Sequence, residues 1–417
     1  MANIIETKAI QVFDSRGIPT ISCKIILDDG TEGLAMVPSG ASTGSKEALE
    51  LRDKEKEYLG KGVLKAVQNI NNVLGPSIIG KNPIEQQLID EILIKSDGTD
   101  DKSEYGANAI LAISLAVSHS ASASNGSNLH EHFAHLYSKI HGKEIDQSIP
   151  MPMLNILNGG EHANNNIDIQ EFMIVPSGAS SFSQAMQWST EVYMNLKKII
   201  EKFGHSSAVG DEGGFAPNLK NNEEALKLII SAIIGSDLEP GKDINIALDC
   251  AASEFYDGKK YILKGEDKIF SSEELVEYLN DLVGKYPIIS IEDGMDENDI
   301  DGWELLTEKI GKKCQLVGDD LFVTNKKILL EGIEKNVANA ILIKFNQVGT
   351  ITETMQTIAC ANENGYKSII SHRSGETEDT TISDLAAGLG VGQIKTGAPC
   401  RSDRVSKYNR LLWIEEE

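Results

Sequence analysis

Six short apolar runs in the second half of this chain each stop at a residue that can bind a cation, move a proton or hold an anion. The run INIAL ends in Asp249, IISI in Glu292 and QLVG in Asp319. AILI ends in Lys344, SIIS in His372 and Arg373, and GQI in Lys395. Crowded carboxylates repel unless a cation lies between them, and hard oxygen donors of this kind suit Mg²⁺. A lysine in a partly dry cavity beside a metal can lose its proton and serve as a base. The guanidinium of Arg373 and the hydroxyl of Ser374 suit a phosphate group. Singly, each acid could instead cap the helix that follows it, and each lysine could be a structural partner for a buried carboxylate. Asp293 and Asp320, on the opposite face from their neighbours, are expected in that capping role. Successive strand ends carrying the same class of residue favour the metal site.

Glycine-rich connections supply further candidates. SGASTG at 39–44 has a permissive backbone and hydroxyls that can reach an anion or metal, and a helix is expected to begin near Ser45. It is not a nucleotide-binding P-loop, because Gly40 and Gly44 are too close together and Glu47 follows Lys46. NGGEHANNN at 158–166 places His162 in a loop that can bend toward a substrate. Gln170 and Glu171 interrupt an apolar strand from Ile169 to Val175, where a carboxylate needs a partner or a task. GDEGG at 210–214 flanks Asp211 and Glu212 with glycines, and either acid could donate a proton if its pKa were raised. HEHFAH at 130–135 is only superficially a metal tract: a zincin needs histidine where Ala134 stands, so it reads as a helix face.

Apolar runs alternating with helical stretches read as βα units around a parallel sheet. In a closed barrel of such units the C-terminal strand ends converge on one mouth, which would gather all the strand-end residues. A barrel alone takes about 250 residues, and this chain has 417. The fold class is therefore α/β, with a C-terminal (β/α)8-type barrel over residues 142–417 and a smaller N-terminal α+β domain over residues 1–141. In the latter, strand signals run from Ala9 to Val37, broken by turns at DSRG and DDG, and helical periodicity follows from Glu47 to about His141. Ser103 to Ala123 is its clearest helix. The apolar stretch from Ala107 is broken by Asn108, Ser114, Ser118, His119 and Ser120, which makes it a buried helix rather than a membrane span.

A formal charge of −24, from 39 basic and 63 acidic residues, argues against direct binding of nucleic acid or an anionic membrane. It leaves room for an anionic substrate, because a few cations focused in a cleft override the global sign. Cys23, Cys250, Cys314, Cys360 and Cys400 are scattered, with no C-x-x-C, as in reduced cytosolic proteins. Cys250 is read as packing. No signal peptide is expected, since no basic stretch followed by an apolar one opens the chain.

These segments, with QEFMI from Gln170, SIED from Ser290, GDDL from Gly318, KFNQ from Lys344, SHRSGETED from Ser371 and QIKTG from Gln393, resemble the enolase family in order from Asp14 to about Glu416. The resemblance implies reversible dehydration of 2-phosphoglycerate to phosphoenolpyruvate with Mg²⁺. By similarity Asp249, Glu292 and Asp319 hold the first metal, and Ser42 ligates a second that arrives with substrate. Lys344 would be the base, and Glu212, assisted by Glu171, would protonate the departing hydroxyl. Lys395 would bind the substrate carboxylate, and Arg373 and Ser374 the phosphate. His372 would lie against the substrate, and His162 would join as loops close. The family also implies a homodimer or an octamer, and a cytoplasmic enzyme, with secondary surface display as for some relatives. Ile18, Ile10 and Trp413 depart from the residues common in the family and fall at the expected subunit contact. Two other readings are a racemase or cycloisomerase, whose Lys-x-Lys strand end is lacking here, and a non-catalytic protein, which would not need the full set of site residues.

Overall fold

The computed structural model describes residues 2–40 and 44–417. The chain opens with β1 (Ile4–Phe13), β2 (Pro19–Leu27) and β3 (Glu32–Met36), an antiparallel meander. Its first turn is set by Asp14, whose carboxylate accepts the backbone N–H groups of Arg16 and Ile18 at 2.8 and 2.9 Å. The buried helix Ala107–Asn125 packs on β2 and β3. Gly33 makes that approach feasible, since a Cβ there would sit 2.3 Å from the Ala116 carbonyl oxygen.

No helix forms at Ser45; the first α-helix is Leu64–Asn69. Tertiary bonds take the backbone instead. Ala48 N donates to Gln347 O at 2.9 Å and Leu49 N to Asp101 O at 2.7 Å. Asp53, read as helical, accepts Leu64 N and Lys65 N, both at 2.8 Å, and so caps the helix that does form.

The remaining large sheet is a closed barrel of eight strands. In chain order they are β4 (Met151–Asn158), β5 (Glu171–Val175), β6 (Asn245–Asp249), β9 (Ile288–Glu292), β10 (Gln315–Gly318), β11 (Ala340–Ile343), β12 (Lys367–Ser371) and β13 (Gly392–Lys395). A hairpin of β7 (Tyr261–Leu263) and β8 (Lys268–Phe270) lies between β6 and β9. The barrel departs from strict βα alternation: β5 pairs antiparallel with both neighbours, β4 and β6, while the other pairs are parallel. The link from β4 to β5 holds only a three-residue turn, Gly160–His162. The twelve residues from 159 to 170 carry no α-helix of the kind a parallel crossover usually packs on the sheet, and the chain doubles back. Two consecutive helices, Phe182–Lys202 and Asn222–Ile234, then lead to β6.

Inside the barrel, Met153, Met173, Val175, Ala247, Val317, Ala340, Leu342 and Ile369 form a separate apolar cluster. It fills the lumen below the polar mouth, as barrel interiors require. The two halves of the chain are bonded directly: Ile351 N donates to Ser114 Oγ and Thr352 N to Asp90 Oδ2, each at 3.0 Å. All five cysteines are free. Among the described residues no helix is long and apolar enough to cross a membrane.

Candidate active site

Strand register brings the polar strand ends abreast. Glu171 opens β5 opposite Asp249, and Asp249 closes β6 opposite Glu292 on β9. Because β5 runs backwards, its first residue reaches the same mouth as the last residues of its neighbours. Asp319 follows β10, Lys344 follows β11, and His372 and Arg373 follow β12; Lys395 ends β13 opposite Ser371. His162 comes from the turn after β4, and Glu212 from the glycine-flanked loop ahead of the helix Asn222–Ile234. His162, Glu171, Glu212, Asp319, Lys344 and Arg373 are among the groups lining one small cavity. Of the two acids in GDEGG, Glu212 is buried and Asp211 exposed, so the structure turns only Glu212 inward.

Two ammonium groups balance the acids. Lys395 Nζ lies 3.1 Å from Glu171, 3.0 Å from Asp249 and 2.9 Å from Glu292. Burial opposes its charge, but Asp249, Glu171 and Glu292 hold its pKa well above the ordinary lysine range. Lys344 Nζ bonds Asp319 Oδ2, and that neighbour likewise outweighs burial and raises it. Gln347 Nε2 donates to the other Asp319 oxygen at 2.9 Å. Burial and then Asp249 push Glu292 well up. In Asp319 burial is outweighed by Lys344 and Arg373, and its pKa is lowered.

Glu171, Glu212 and His162 bring ligand atoms within 4.8 Å of one another. Burial and the charge of Glu212 raise Glu171 well above its ordinary range. Burial would raise Glu212 too, but the His372 and His162 rings and the Arg404 guanidinium outweigh it and hold Glu212 low. The raised pKa that the sequence reading asked of a proton donor is thus found on Glu171 and not on Glu212. Asn155 Nδ2 donates to Glu212 Oε2 at 3.0 Å. Arg373 Nη1 pairs with Glu47 at 3.0 Å, and Arg16 Nη1 donates to Ser374 Oγ at 3.4 Å. Ser39 and Gly375 exchange backbone hydrogen bonds of 2.8 Å, tying the segment ahead of the 41–43 stretch to the phosphate-suited loop.

The family model described as the enolase C-terminal TIM barrel domain matches residues 146–417. The enolase N-terminal domain matches residues 4–133. The chain belongs to the enolase family. Enolase-family membership and the closed barrel agree with the fold read from sequence.

Several particulars differ from that reading. Beside the set Asp249, Glu292 and Asp319 named from sequence, Asp293, Asp319 and Asp320 bring ligand atoms within 4.8 Å of one another. Asp293 and Asp320 do not cap the following helices, which start at Asp299 and Asn325. Asp293 instead accepts the backbone N–H groups of Asp319 and Asp320, at 2.9 and 2.8 Å, fastening one strand end to the next. Ser42 lies outside the described residues. Gln347 stood in a motif but was given no task. Arg404 and Asn155 carried no sequence signal, one lying in a helix and the other inside an apolar strand. Of the departures from the family pattern, Ile10 and Trp413 are exposed and Ile18 half-buried.

Proposed function

We propose that this enolase-family chain catalyses the reversible dehydration of 2-phosphoglycerate to phosphoenolpyruvate. In this reading Lys344 is the base and Glu212, assisted by Glu171, is the acid. One observation carries it: in the ring of eight strands β11 and β5 stand four places apart, so Lys344 and Glu171 face each other across the cavity. A substrate lying between them offers its C2 hydrogen to one wall and its C3 hydroxyl to the other. That hydrogen lies α to a carboxylate and is hardly acidic, so the charge that develops needs cations around it.

The acidic residues fit a divalent cation. Their donors are hard oxygens, and those of Asp249 and Glu292 already converge within 3.0 Å of one cationic nitrogen. We assign Mg²⁺ to Asp249, Glu292 and Asp319, and a second ion to Ser42. When bound, Mg²⁺ would supply positive charge against the carboxylate as its negative charge grows. Lys344 can accept a proton only once Asp319 is engaged elsewhere than on its ammonium. Arg373 and Ser374 bind the phosphate, Lys395 the carboxylate, and His372 and His162 close against the substrate. Water exclusion by loop closure then strengthens these charges. We further propose that the domains divide at residues 141 and 142, that the protein is a cytoplasmic homodimer, and that glycolysis is its pathway.

The test is spectrophotometric. With Mg²⁺ and 2-phosphoglycerate the purified protein should gain the ultraviolet absorbance of an enol ester, and a chelator should abolish the gain. Absence of any change across pH 6 to 9 with Mg²⁺ present would discard the reading.

A further inference from the structure

Arg404 lies in the C-terminal helix Ser402–Glu416 and is fully buried. A buried guanidinium must spend its donors well, and this one does so around the acid of the site. Its Nη1 lies 2.5 Å from His372 Nδ1 and donates to the Arg373 carbonyl at 2.5 Å. Its Nη2 donates to the Ser374 carbonyl at 2.6 Å and the Asp211 carbonyl at 3.3 Å. Its Nε lies 2.9 Å from Asp403. We propose that Arg404 is a positioning residue: it fixes His372 as the neutral tautomer protonated on Nε2, so that the ring presents a donor to Glu212.

The argument is one of donors and acceptors. Arginine has five N–H groups, no acceptor, and does not lose its proton in proteins. The nitrogen facing it must therefore offer a lone pair. An imidazolium, or a ring protonated on Nδ1, would set N–H against N–H. His372 is left with its proton on Nε2, and that atom lies 3.4 Å from Glu212 Oε2, its nearest carboxylate, without yet meeting hydrogen-bond geometry to any group among the described residues. The groups acting on the ring are Glu212, Arg404 and Lys395; burial and the two cations outweigh Glu212 and push its pKa down to about 3. The backbone is also shaped for this arginine. Gly397 has φ +86°, and a Cβ there would sit 2.8 Å from both Arg404 Cδ and the Glu212 carbonyl oxygen.

The consequence rests on the reading of Glu212 as the acid. Once Glu212 has given its proton to the leaving hydroxyl it is a buried carboxylate. An Nε2–H aimed at it stabilises that state, whereas a lone pair in the same place would repel it. By gripping the carbonyls of Arg373 and Ser374, the same guanidinium fixes the ring and the phosphate-suited loop together.

The experiment begins with the ligand-free full-length wild type, labelled with ¹⁵N at histidine and arginine. Long-range proton–nitrogen spectra should show His372 neutral and protonated on Nε2, unchanged from pH 5.5 to 8, with a nitrogen–nitrogen coupling across the hydrogen bond from Arg404. A proton on Nδ1, or titration within that range, would overturn the proposal without any variant having to fold. In Arg404→Met the preference for Nε2 should be lost, and Arg404→Lys should restore it in part. An unaltered tautomer in a folded Arg404→Met protein would equally overturn it. For turnover of 2-phosphoglycerate, kcat of Arg404→Met should fall about a hundredfold, the lower range for a positioned acid, with KM changed much less. The two readings separate cleanly. An Nε2–H tautomer in a protein that does not dehydrate 2-phosphoglycerate sinks the functional reading alone, and an active enzyme with His372 protonated on Nδ1 sinks this one alone.

Discussion

In the proposed reaction Lys344 and the Glu171–Glu212 pair would divide the chemistry into two separable acts. Lys344, held on Asp319, stands at one wall, and the two carboxylates lie close together at the other. If the lysine removes the C2 hydrogen and the carboxylates only assist the hydroxyl's departure, their variants must fail differently. Lys344→Ala should lose exchange of the C2 hydrogen with solvent deuterium and lose dehydration, both by about 10³-fold or more. Glu212→Gln should lose dehydration to a similar extent yet keep much of the exchange, because the base is untouched. Proton exchange measured by NMR beside an absorbance assay distinguishes them. Exchange surviving in Lys344→Ala would remove that residue from the role of base. The positions of these residues were legible because strand end is a strong signal: a charged residue after IISI or AILI has nowhere to go but the mouth. The protonation states were not. Sequence places Lys395 near a substrate carboxylate but cannot reveal the three carboxylates that surround its ammonium, since they come from strands far apart in the chain.

At the level of elements the reversed strand β5 is the instructive case. The apolar run from Ile169 reads as one more βα strand, and its direction is hidden because alternation says nothing about which way a strand runs. The link from β4, with no α-helix in it, holds the information, and it is what brings Glu171 to the mouth. Tertiary competition likewise removes the helix expected near Ser45, where backbone groups bond to Gln347 and Asp101 instead. A second element-level feature has a measurable consequence. Asp90, on the helix Gln86–Asp97, accepts Thr352 N at 3.0 Å and Thr352 Oγ1 at 2.5 Å, so it caps a helix of the barrel half. Burial pushes its pKa from 3.8 up to about 6 against those hydrogen bonds. A folded-state pKa above the unfolded one means that the native state holds the proton more tightly. The associated stability is fully present below pH 3.8 and is lost as pH rises through about 6. At about 1.36 kcal/mol per pH unit, the loss over that window is about 3 kcal/mol. Asp90→Asn cannot titrate there. Urea unfolding of both proteins from pH 4 to 7 should therefore show the wild type losing about that much more stability than the variant. Parallel pH curves would refute the linkage.

For the molecule as a whole, the charge of −24 and the cavity tell opposite stories, and both belong to one design. Excess acid over the whole chain favours solubility and opposes a phosphate backbone. Inside the mouth the acids are crowded enough that Glu292 and Asp293 are driven far above the usual carboxylate range, burial first and neighbouring acids after it. Native structure with such strain should be stabilised by a divalent cation that the unfolded chain cannot bind. The size follows from mass action: about 2.7 kcal/mol when free Mg²⁺ is a hundredfold above its dissociation constant. For a chain of 417 residues this means a rise of a few degrees in unfolding temperature. The rise should appear with Mg²⁺, vanish with a chelator and be absent when NaCl supplies the same ionic strength, since surface charge screening responds to ionic strength alone. Glu292→Gln removes one of the converging oxygens and part of the acid crowding together. It should therefore gain little from Mg²⁺, whatever its unfolding temperature without metal. A full Mg²⁺ shift in that variant would move the ion away from Asp249 and Glu292, to the other acidic group at Asp293, Asp319 and Asp320.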